Sequence, residues 1–474
     1  MSAICSWLQT AEASATAVTD DSETVTYGEL TLQAAQLASA YSSFGTSRFL
    51  LIPAMRKVAF IRALVATLLS GNIPVPVDPQ APSGAIASIG EQCGEWSLVD
   101  LDIEFESCSP VAQVGSDSRQ PELVLFTSGT SGRPKGVPIS TGNLEHAAPA
   151  VSTYLSYKAY PSAAVVLPLH YSYALLTQVL FMFYTGGRVR LFESFRNPLS
   201  FSRVAKLENL GTFCGVPSTY RALGMLNEIA TLCLPSFRVI CSAGAALDRN
   251  LMPVIRRIFP NATLFDNYGM TEATPRISYI SDDDPRFSEP TCGKPIDGLE
   301  VRSVDPATLA PLPDGEPGVI AIRGPSVFEG YLNDSEGTRA AFTPDRFLLS
   351  GDIGYLKDGY IYLQGRNDDV FNVGGEKVSP LEIEHALSKH ANVLECAVAR
   401  FQDHDRGDIP VAYIQLAAPA DRQSLVAFLN GALSPAKVPV RYFEVRSFPL
   451  TGNGKLQRRQ LTPDNTNFVV REIV

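Results

Sequence analysis

A glycine-rich loop follows a predicted strand in the first third of the chain. The strand reads ELVLF, and residues 127–136 directly after it read TSGTSGRPKG. Glycines let backbone N–H groups turn toward a ligand, hydroxyls add hydrogen-bond donors, and a lysine adds a cation. It is not a Walker A motif, because that motif has serine or threonine directly after its lysine. The residues predicted to cradle phosphate are Thr127, Ser128, Gly129, Thr130, Ser131, Gly132 and Lys135.

The stretch DNYGMTEATP, residues 266–275, also follows a predicted strand. Tyr268 offers a ring that can stack on a base, and Asn267 offers a donor and an acceptor for a purine edge. Thr271 sets a hydroxyl beside the Glu272 carboxylate, which suits a phosphate next to a magnesium ion. Taken alone, the stretch is equally compatible with an ordinary polar turn.

Two later stretches carry polar groups suited to a nucleotide. Asp352 in SGDIGY can accept two hydrogen bonds from a ribose diol, and Arg366 in GRNDD can reach the same sugar or a phosphate. In LTGNGK two glycines flank Asn453 and leave Lys455 on a mobile tip. A lysine in that position is a solvated surface charge unless an anion lies opposite.

The elements that must position these residues alternate between strand and helix patterns up to about Asp283. Helical patterns begin at Thr26 and Lys57, and strand patterns are RFLLIPA, IPVPVDP, ELVLF, AAVVLPL, TFCGVP, RVICSAG and TLFDNYG. Alternation of this kind predicts an α/β fold with parallel sheet, in which ligands bind at the carboxyl ends of strands.

The pattern changes after Asp283 to short β-like runs, GLEVRSV, GVIAIRG and GYIYLQG, which predict a small β subdomain over about 284–367. A compact α+β unit follows, with VRYFEVRSF predicted as its last strand. We therefore expect a large N-terminal α/β core over residues 1–367, which includes the β subdomain. A small α+β C-terminal domain is expected over 368–474.

Composition excludes several classes of protein. The 39 basic and 49 acidic residues give a net charge of -10, so no electrostatic footprint for nucleic acid is present. Eight cysteines without CxxC spacing predict buried thiols in a reducing cytoplasm, and five histidines without HxxxH spacing predict no histidine metal site. The N-terminus does not resemble a signal peptide. Residues 163–184 carry no charge, but Pro168 interrupts them, which favours a buried strand and core helix over a membrane span.

The order TSGTSGRPKG, YGMTE, SGD, GRNDD with GGEKVSPLEIE, and GNGK resembles the adenylate-forming superfamily. That superfamily contains acyl-CoA synthetases, peptide-synthetase adenylation domains and luciferases. The resemblance implies two steps: a carboxylate attacks the α-phosphorus of ATP to give an acyl-adenylate and pyrophosphate, and a thiol then takes the acyl group and releases AMP. It implies ATP, Mg²⁺, and either CoA or the phosphopantetheine of a carrier protein.

The resemblance also implies a role for each matching residue. The segment from Thr127 to Lys135 would hold the β- and γ-phosphates, Thr271 would contact the α-phosphate, and Glu272 would bind the metal. Asn267 would meet the adenine amino group. Lys455 would bridge the acid and the α-phosphate. The remaining assignments are an adenine slot and ribose contacts formed by Gly244, Ala245, Ala246, Tyr268, Asp352 and Arg366.

In the superfamily the C-terminal domain rotates between the two steps, so the small domain is expected to be mobile. The resemblance puts the hinge at Asp368. Rotation would replace Lys455 with the segment around Gly374 and Gly375, whose missing side chains suit a narrow tunnel for the thiol.

The acyl pocket is expected from residues that flank these motifs: Tyr171, Tyr173, Val216, Pro217, Tyr220, Gly269, Met270 and Ala273. The superfamily often has histidine in a PLxH stretch, where this chain has Tyr171 with His170 one residue earlier, so which of the two acts as a gate stays open. Residues 162–191 contain no acidic side chain to pair with an α-ammonium. A fatty or aromatic acid is therefore favoured over an α-amino acid.

The leading hypothesis is an acid–thiol ligase that forms AMP, an acyl- or aryl-CoA ligase. One alternative is an acyl-AMP ligase that loads a separate carrier protein, since no carrier domain follows Lys455 in this sequence. Others are an amino-acid adenylating enzyme, a non-catalytic nucleotide-binding partner, and a membrane-associated protein that uses residues 163–184.

Overall fold

The computed structural model describes residues 2–103, 108–110, 121–127, 134–193, 195, 198–373, 376–403, 406–450 and 456–474. The chain divides into two compact units. The first comprises Met1–Glu300 and Ile322–Leu348, and the second comprises Val301–Ala321 and Leu349–Val474. The second unit contains slightly less than half of the predicted β subdomain, residues 301–321 and 349–367, together with the C-terminal segment. The predicted boundary at 367/368, which concerns a hinge, stays a prediction.

The first unit contains helices at both ends of its sequence and between its strands. The helices are α1 (Ala3–Thr10), α2 (Tyr27–Tyr41), α3 (Val58–Leu69), α4 (Ser83–Cys93), α5 (Thr141–Tyr154), α6 (Phe181–Tyr184), α7 (Pro198–Leu207), α8 (Pro217–Ile229), α9 (Met252–Ile258) and α10 (Ser335–Ala341). A π-helix over Tyr173–Leu180 leads directly into α6, and short 3₁₀ turns occupy Ser42–Phe44, Arg249–Leu251 and Thr271–Ala273.

The strands that the structure describes in the first unit form three sheets. They are β1 (Thr16–Thr19), β2 (Thr24–Thr26), β3 (Phe49–Pro53), β4 (Ile73–Val77), β5 (Trp96–Leu98), β6 (Leu123–Thr127), β7 (Lys135–Ile139), β8 (Ser162–Val165), β9 (Arg188–Leu191), β10 (Thr212–Gly215), β11 (Val239–Ser242), β12 (Thr263–Tyr268), β13 (Ser278–Ser281) and β14 (Lys294–Pro295). The large sheet has the order β14-β13-β12-β11-β10-β8-β9-β1-β2, and a second sheet has the order β4-β3-β5.

The prediction of parallel sheet is confirmed for the middle of the large sheet. Strands β1, β9, β8, β10, β11 and β12 pair in parallel, and so do β3, β4 and β5. The prediction of parallel pairing is wrong for the ELVLF segment, because β6 pairs antiparallel with β7 in a two-stranded hairpin. Only residues 128–134 separate the two strands, which is too few for the crossover that a parallel pair needs.

The uncharged stretch at 163–184 is a buried strand, β8, followed by the π-helix and α6, as predicted. The apolar side chains between Ala174 and Phe183 are buried in the largest apolar core of the first unit. Within the described ranges, no helix combines the length and the apolar character needed to cross a membrane. Burial against other helices therefore accounts for the apolar run.

The second unit contains two four-stranded sheets and a short hairpin. Its elements are β15 (Glu300–Val304), β16 (Gly318–Arg323), β17 (Leu348–Lys357), β18 (Tyr360–Arg366), β19 (Phe371–Val373), β20 (Glu376–Val378), α11 (Pro380–Leu387), β21 (Val393–Asp403), β22 (Gly407–Leu416), α12 (Arg422–Asn430), β23 (Arg441–Val445) and β24 (Val469–Glu472). Short 3₁₀ turns lie at Pro435–Lys437 and Arg458–Gln460.

In the C-terminal sheet, with the order β21-β22-β23-β24, α11 and α12 pack Ile383, Leu387, Leu425 and Leu429 into one core. The prediction that VRYFEVRSF is the last strand is wrong, because β24 follows it and pairs antiparallel with β23. Strand β24 is an edge strand and is exposed along most of its length, so it lacks the alternating apolar pattern by which strands are recognised.

Candidate active site

The phosphate loop rises from the β6–β7 hairpin. Thr127 ends β6 and lies opposite Lys135, which begins β7, so the hairpin stem holds both ends of the loop together. Lys135 is partly buried, and its Nζ lies 4.6 Å from the centre of the Tyr331 ring. The other predicted cradle residues, Ser128, Gly129, Thr130, Ser131 and Gly132, lie outside the described residues.

Tyr331 joins the phosphate loop to the YGMTE stretch. Its ring contacts Lys135 and its hydroxyl donates a hydrogen bond of 2.9 Å to Glu272 Oε1, which is buried. A cleft of about 410 Å³ lies beside this contact and is lined by Lys135, Gly136 and Tyr331, among others. Sequence reasoning missed Tyr331, because it lies 59 residues from Glu272 and belongs to no recognised motif.

The loop after β12 doubles back sharply. The Ile277 N–H donates to the carbonyl of Tyr268, the last residue of β12, and β13 then runs antiparallel to β12. A Cβ on Gly269 would lie 1.9 Å from the Pro275 carbonyl oxygen, so no side chain fits there. Thr274 has a φ of 49°, which is uncommon for a residue other than glycine. Thr271 and Glu272 are therefore held in a tightly constrained turn.

Two of the polar side chains assigned to nucleotide binding in this turn, Asn267 and Thr271, have partners within the chain. Asn267 donates to the carbonyls of Ser242 and Phe265, and its Oδ1 accepts a hydrogen bond of 2.8 Å from the Tyr154 hydroxyl. The Thr271 hydroxyl lies 2.9 Å from that of Ser172, just before the π-helix. These bonds fix the side chains before any ligand binds, which is how sites reduce the cost of reorganisation.

The segment predicted to flank adenine comes directly after β11. Gly244, Ala245 and Ala246 are exposed, and Gly244 has a φ of 88°, which favours glycine. A Cβ added at Gly244 would lie 3.6 Å from Cγ1 of Val216. Because β10, β11 and β12 are parallel neighbours, Val216, Gly244 and Tyr268 lie at the same edge of the sheet. That edge is where open α/β sheets bind ligands.

Asp266 stands one residue before Asn267, and 14% of its side chain is exposed. Burial raises the pKa of its carboxyl to about 6, although the Arg249 guanidinium, whose Nη2 lies 3.0 Å from Oδ2, lowers it. The carboxyl is therefore half ionised near pH 6 and mostly ionised at neutral pH.

The predicted acyl-pocket residues do not all have the same surroundings. Tyr173 starts the π-helix. Gly269, Met270 and Ala273 belong to the constrained turn. Val216 and Pro217 are buried at the start of α8. Tyr220 lies in an aromatic core and donates a hydrogen bond of 2.6 Å to the Cys241 carbonyl. Its hydroxyl and ring are thus already occupied by the protein.

The two gate candidates, His170 and Tyr171, lie side by side with ring centres 4.0 Å apart. Burial lowers the pKa of His170; the Asp78 charge raises it and the Arg56 charge lowers it. The His170 imidazole is therefore neutral at neutral pH, and the geometry brings both rings to one place.

Arg276 is a further residue of the site that sequence reasoning missed, because it lies just outside the stretch DNYGMTEATP. It directly follows Pro275, is only 1% exposed, and its guanidinium carbon lies 5.4 Å from the centre of the Tyr173 ring. The position next to DNYGMTEATP was the available signal. A lone arginine beside a turn is, however, more often exposed.

In the second unit, Asp352 on β17 and Arg366 on β18 are cross-strand neighbours, with Oδ1 and Nη1 3.5 Å apart. Asp368 is exposed in the turn after β18, and the next residue, Asp369, pairs with Arg458 at 3.4 Å. The predicted thiol-tunnel residues Gly374 and Gly375, and the predicted catalytic Lys455, lie outside the described residues.

Comparisons with known proteins agree with this geometry. A family model described as AMP-binding enzyme matches residues 94–332, and one described as AMP-binding enzyme C-terminal domain matches residues 382–455. The chain is 30% identical to 4-coumarate–CoA ligase 2 of Oryza sativa subsp. japonica over 77% of its own length and 65% of that protein's. It is 32% identical to the probable CoA ligase CCL9 of Humulus lupulus over 74% of this chain and 68% of that protein. It is 31% identical to 2-succinylbenzoate–CoA ligase of Bacillus velezensis over 71% of this chain and 68% of that protein.

Solved structures share the fold. ATP-bound MatB from Rhodopseudomonas palustris matches with a TM-score of 0.87 at 22% identity, covering 98% of this chain and 100% of that one. o-Succinylbenzoate CoA synthetase (MenE) from Bacillus subtilis with its acyl-adenylate intermediate matches with a TM-score of 0.86 at 23% identity, covering 100% and 99%. The predicted fold class is thereby confirmed. Matched by the family model over half of its length, the chain belongs to the AMP-binding enzymes, members of the adenylate-forming superfamily that its motifs resemble.

Proposed function

We propose that this protein is an AMP-forming acid–thiol ligase. It joins a carboxylic acid to ATP, releases pyrophosphate, and transfers the acyl group from the adenylate to CoA. The observation that carries the proposal is the contact series Lys135–Tyr331–Glu272, which couples the phosphate-loop stem to the YGMTE turn through a ring contact and a 2.9 Å hydrogen bond. The names of the relatives, which are CoA ligases, support the same activity.

The first step must bring two anions together. An oxygen of the acid forms a bond to the α-phosphorus, the bond from that phosphorus to the bridging oxygen of pyrophosphate breaks, and pyrophosphate leaves with the electron pair. Lys135 clamps the departing phosphates and the Thr271 hydroxyl donates to the α-phosphate. Lys455, by resemblance, bridges the acid and the α-phosphate. Positioned charges and donors of this kind account for most of the catalysis in phosphoryl transfer.

The residues present fit a magnesium ion. Magnesium takes oxygen ligands and is held in nucleotide sites by one or two carboxylates together with phosphate oxygens. Glu272 is a buried carboxylate, oriented by the Tyr331 hydroxyl and adjacent in sequence to the Thr271 hydroxyl. We therefore assign Glu272 as the protein ligand; bound Mg²⁺ would neutralise charge on the phosphates.

The remaining assignments extend the same proposal. Gly244 to Ala246 and Tyr268 flank the adenine, and the second lone pair of Asn267 Oδ1 accepts from its amino group. Asp352, with Arg366 beside it, binds the ribose hydroxyls. Asp368 is the hinge about which the C-terminal domain turns, which brings Gly374 and Gly375 to the thiol in place of Lys455. The cytoplasm is the proposed compartment, since all eight cysteines are free thiols.

The test is to incubate the protein with ATP, Mg²⁺ and a panel of acids, and to follow pyrophosphate release. Products are then identified by mass spectrometry with CoA or with a phosphopantetheinylated carrier protein as acceptor. Acid-dependent pyrophosphate release and an acyl-CoA product support the proposal. A product on the carrier and none on CoA would favour the carrier-loading alternative. Pyrophosphate release at background with every acid would favour a non-catalytic nucleotide-binding protein.

A further inference from the structure

A buried arginine directly after the YGMTE turn lacks hydrogen bonds at two of its three nitrogen atoms. Arg276 is 1% exposed, and its Nε and Nη2 atoms form no hydrogen bond. Among the residues that the structure describes, Arg276 forms no ion pair either. Burying an unpaired cation costs several kcal/mol at least. A guanidinium is not relieved of that cost by losing its proton, because arginine stays protonated in proteins.

The titratable groups nearest Arg276 are phenols, thiols and one carboxylate that already has a partner. Burial raises the pKa of Tyr157 and Tyr173 well above its ordinary value, so both phenols are neutral. Asp266 is close enough to interact electrostatically with Arg276, but its carboxylate is paired with Arg249 at 3.0 Å. Cys214 is the internal alternative: burial raises its pKa, while a hydrogen bond from Cys241, the Arg276 charge and the approach of the Tyr173 and Tyr157 hydroxyls outweigh this and lower it.

The same region holds further polar groups without partners. The hydroxyls of Tyr157 and Tyr173 are buried and approach the Cys214 thiol, but they have no oxygen or nitrogen partner. Thr177 Oγ1 and the Gln178 amide, one turn farther along the π-helix, are buried and form no hydrogen bond. We call Arg276, Tyr157 and Tyr173 the Arg276 cluster. Unsatisfied buried polar groups are rare in native proteins, and several in one place indicate a ligand that is missing from the structure.

The Arg276 cluster adjoins the residues assigned to chemistry. Gly269 packs directly against Pro275 and the Arg276 backbone, and Ser172, which precedes Tyr173, contacts Thr271. An acid whose reacting carboxylate lies at Thr271 would therefore extend its other end toward Arg276. A cation there would repel an α-ammonium, which agrees with the absence of acidic residues from positions 162–191.

We propose that Arg276, with the Tyr157 and Tyr173 hydroxyls, binds a second carboxylate of the acid, so that the substrate is a dicarboxylic acid activated at one end only. Arginine matches a carboxylate with two parallel hydrogen bonds, and the phenols supply two more donors. The second carboxylate does not react; it determines which acid enters and which end faces ATP. This inference rests on the proposed acid activation.

The test compares matched pairs of acids: straight-chain pairs such as hexanoate with adipate, and aromatic pairs such as cinnamate with 4-carboxycinnamate. In the wild type, kcat/KM for pyrophosphate release should favour the dicarboxylate of the preferred pair by roughly 100-fold or more, because a monocarboxylate leaves a buried cation unpaired. Arg276→Met should abolish that preference and leave the monocarboxylate rate equal or higher. Arg276→Lys should retain part of it, and Arg257→Met, which removes an exposed arginine on α9, should change nothing.

The outcomes separate the inference from the proposed function. Acid-dependent activity with a preference for monocarboxylates, or an equal loss with both acids in Arg276→Met, would overturn the inference and leave the ligase function standing. If no acid supports pyrophosphate release, the function fails, and calorimetric titration of adipate and 4-carboxycinnamate into the protein with AMP then decides. Binding to the wild type that Arg276→Met abolishes supports the dicarboxylate site, and no binding to the wild type refutes it. Thermal melting confirms that the variants are folded.

Discussion

Two adjacent groups of buried or half-buried polar residues in the first unit differ in whether the protein itself supplies their hydrogen-bond partners. Around the YGMTE turn, Asn267, Thr271 and Glu272 are hydrogen-bonded to Tyr154, Ser172 and Tyr331 within the chain. In the Arg276 cluster, two nitrogens of the guanidinium form no hydrogen bond, and both phenol hydroxyls approach only the Cys214 thiol. The first group is organised before ligands bind, which suits chemistry common to every acid. The second group is the one that we propose a ligand completes, which suits recognition of one kind of acid.

The largest expected effect concerns Lys455. Lys455→Ala should block adenylate formation with every acid, because the two approaching anions then lack the cation between them. Thioester formation from supplied acyl-AMP should be largely spared, since the lysine is rotated away in the second step. Each half-reaction is measured separately by pyrophosphate release and by acyl-CoA production. Equal losses in the two half-reactions would remove Lys455 from its assigned role.

A smaller effect should come from the glycine that separates the two groups. In Gly269→Ala the new Cβ would meet the Pro275 carbonyl oxygen at 1.9 Å, so the turn and the Arg276 backbone must shift. Overpacking of this kind costs about 1–3 kcal/mol in the free energy of unfolding. We expect activity to fall with both members of an acid pair, since Thr271 and Arg276 are displaced together. Gly84→Ala, which meets nothing within 4 Å, is the matched control. Unchanged activity in Gly269→Ala would show that the turn is looser than described.

The smallest effect is on pH dependence. Burial raises the pKa of Asp266 from 3.8 to about 6, so between these values the folded chain binds more protons than the unfolded chain. Its contribution to stability therefore falls as the pH rises through this window and is constant above it. The wild type should lose stability relative to Asp266→Asn between about pH 4 and pH 6, as measured by urea unfolding of both proteins. A relative gain over the same range would contradict the burial of this carboxyl.

Much of the fold was predictable because strand and helix periods are local. The parallel strands β8, β10, β11 and β12 were recognised from short apolar runs, and each ends at a turn that the site uses. The β6–β7 hairpin and β24 were not recognised, because pairing direction and edge strands depend on distant segments. The same holds in the site. Glu272 could be found from its motif, whereas Tyr331 and the burial of Arg276 depend on tertiary packing that a single sequence does not show.

The most direct test of this division measures kcat/KM for one matched pair of acids in Glu272→Gln and in Arg276→Met, beside the wild type. Glu272→Gln should lower kcat/KM for both acids by the same factor, on the order of 10²–10³. The ratio of the two kcat/KM values should stay unchanged, because the substitution weakens chemistry common to both acids. Glu145→Gln, on the exposed face of α5, is its control. Arg276→Met should instead lower kcat/KM for the dicarboxylate alone, so that the ratio of dicarboxylate to monocarboxylate kcat/KM falls to about one or below. If Glu272→Gln changes the ratio, or Arg276→Met lowers both acids equally, the two groups do not divide chemistry from selection.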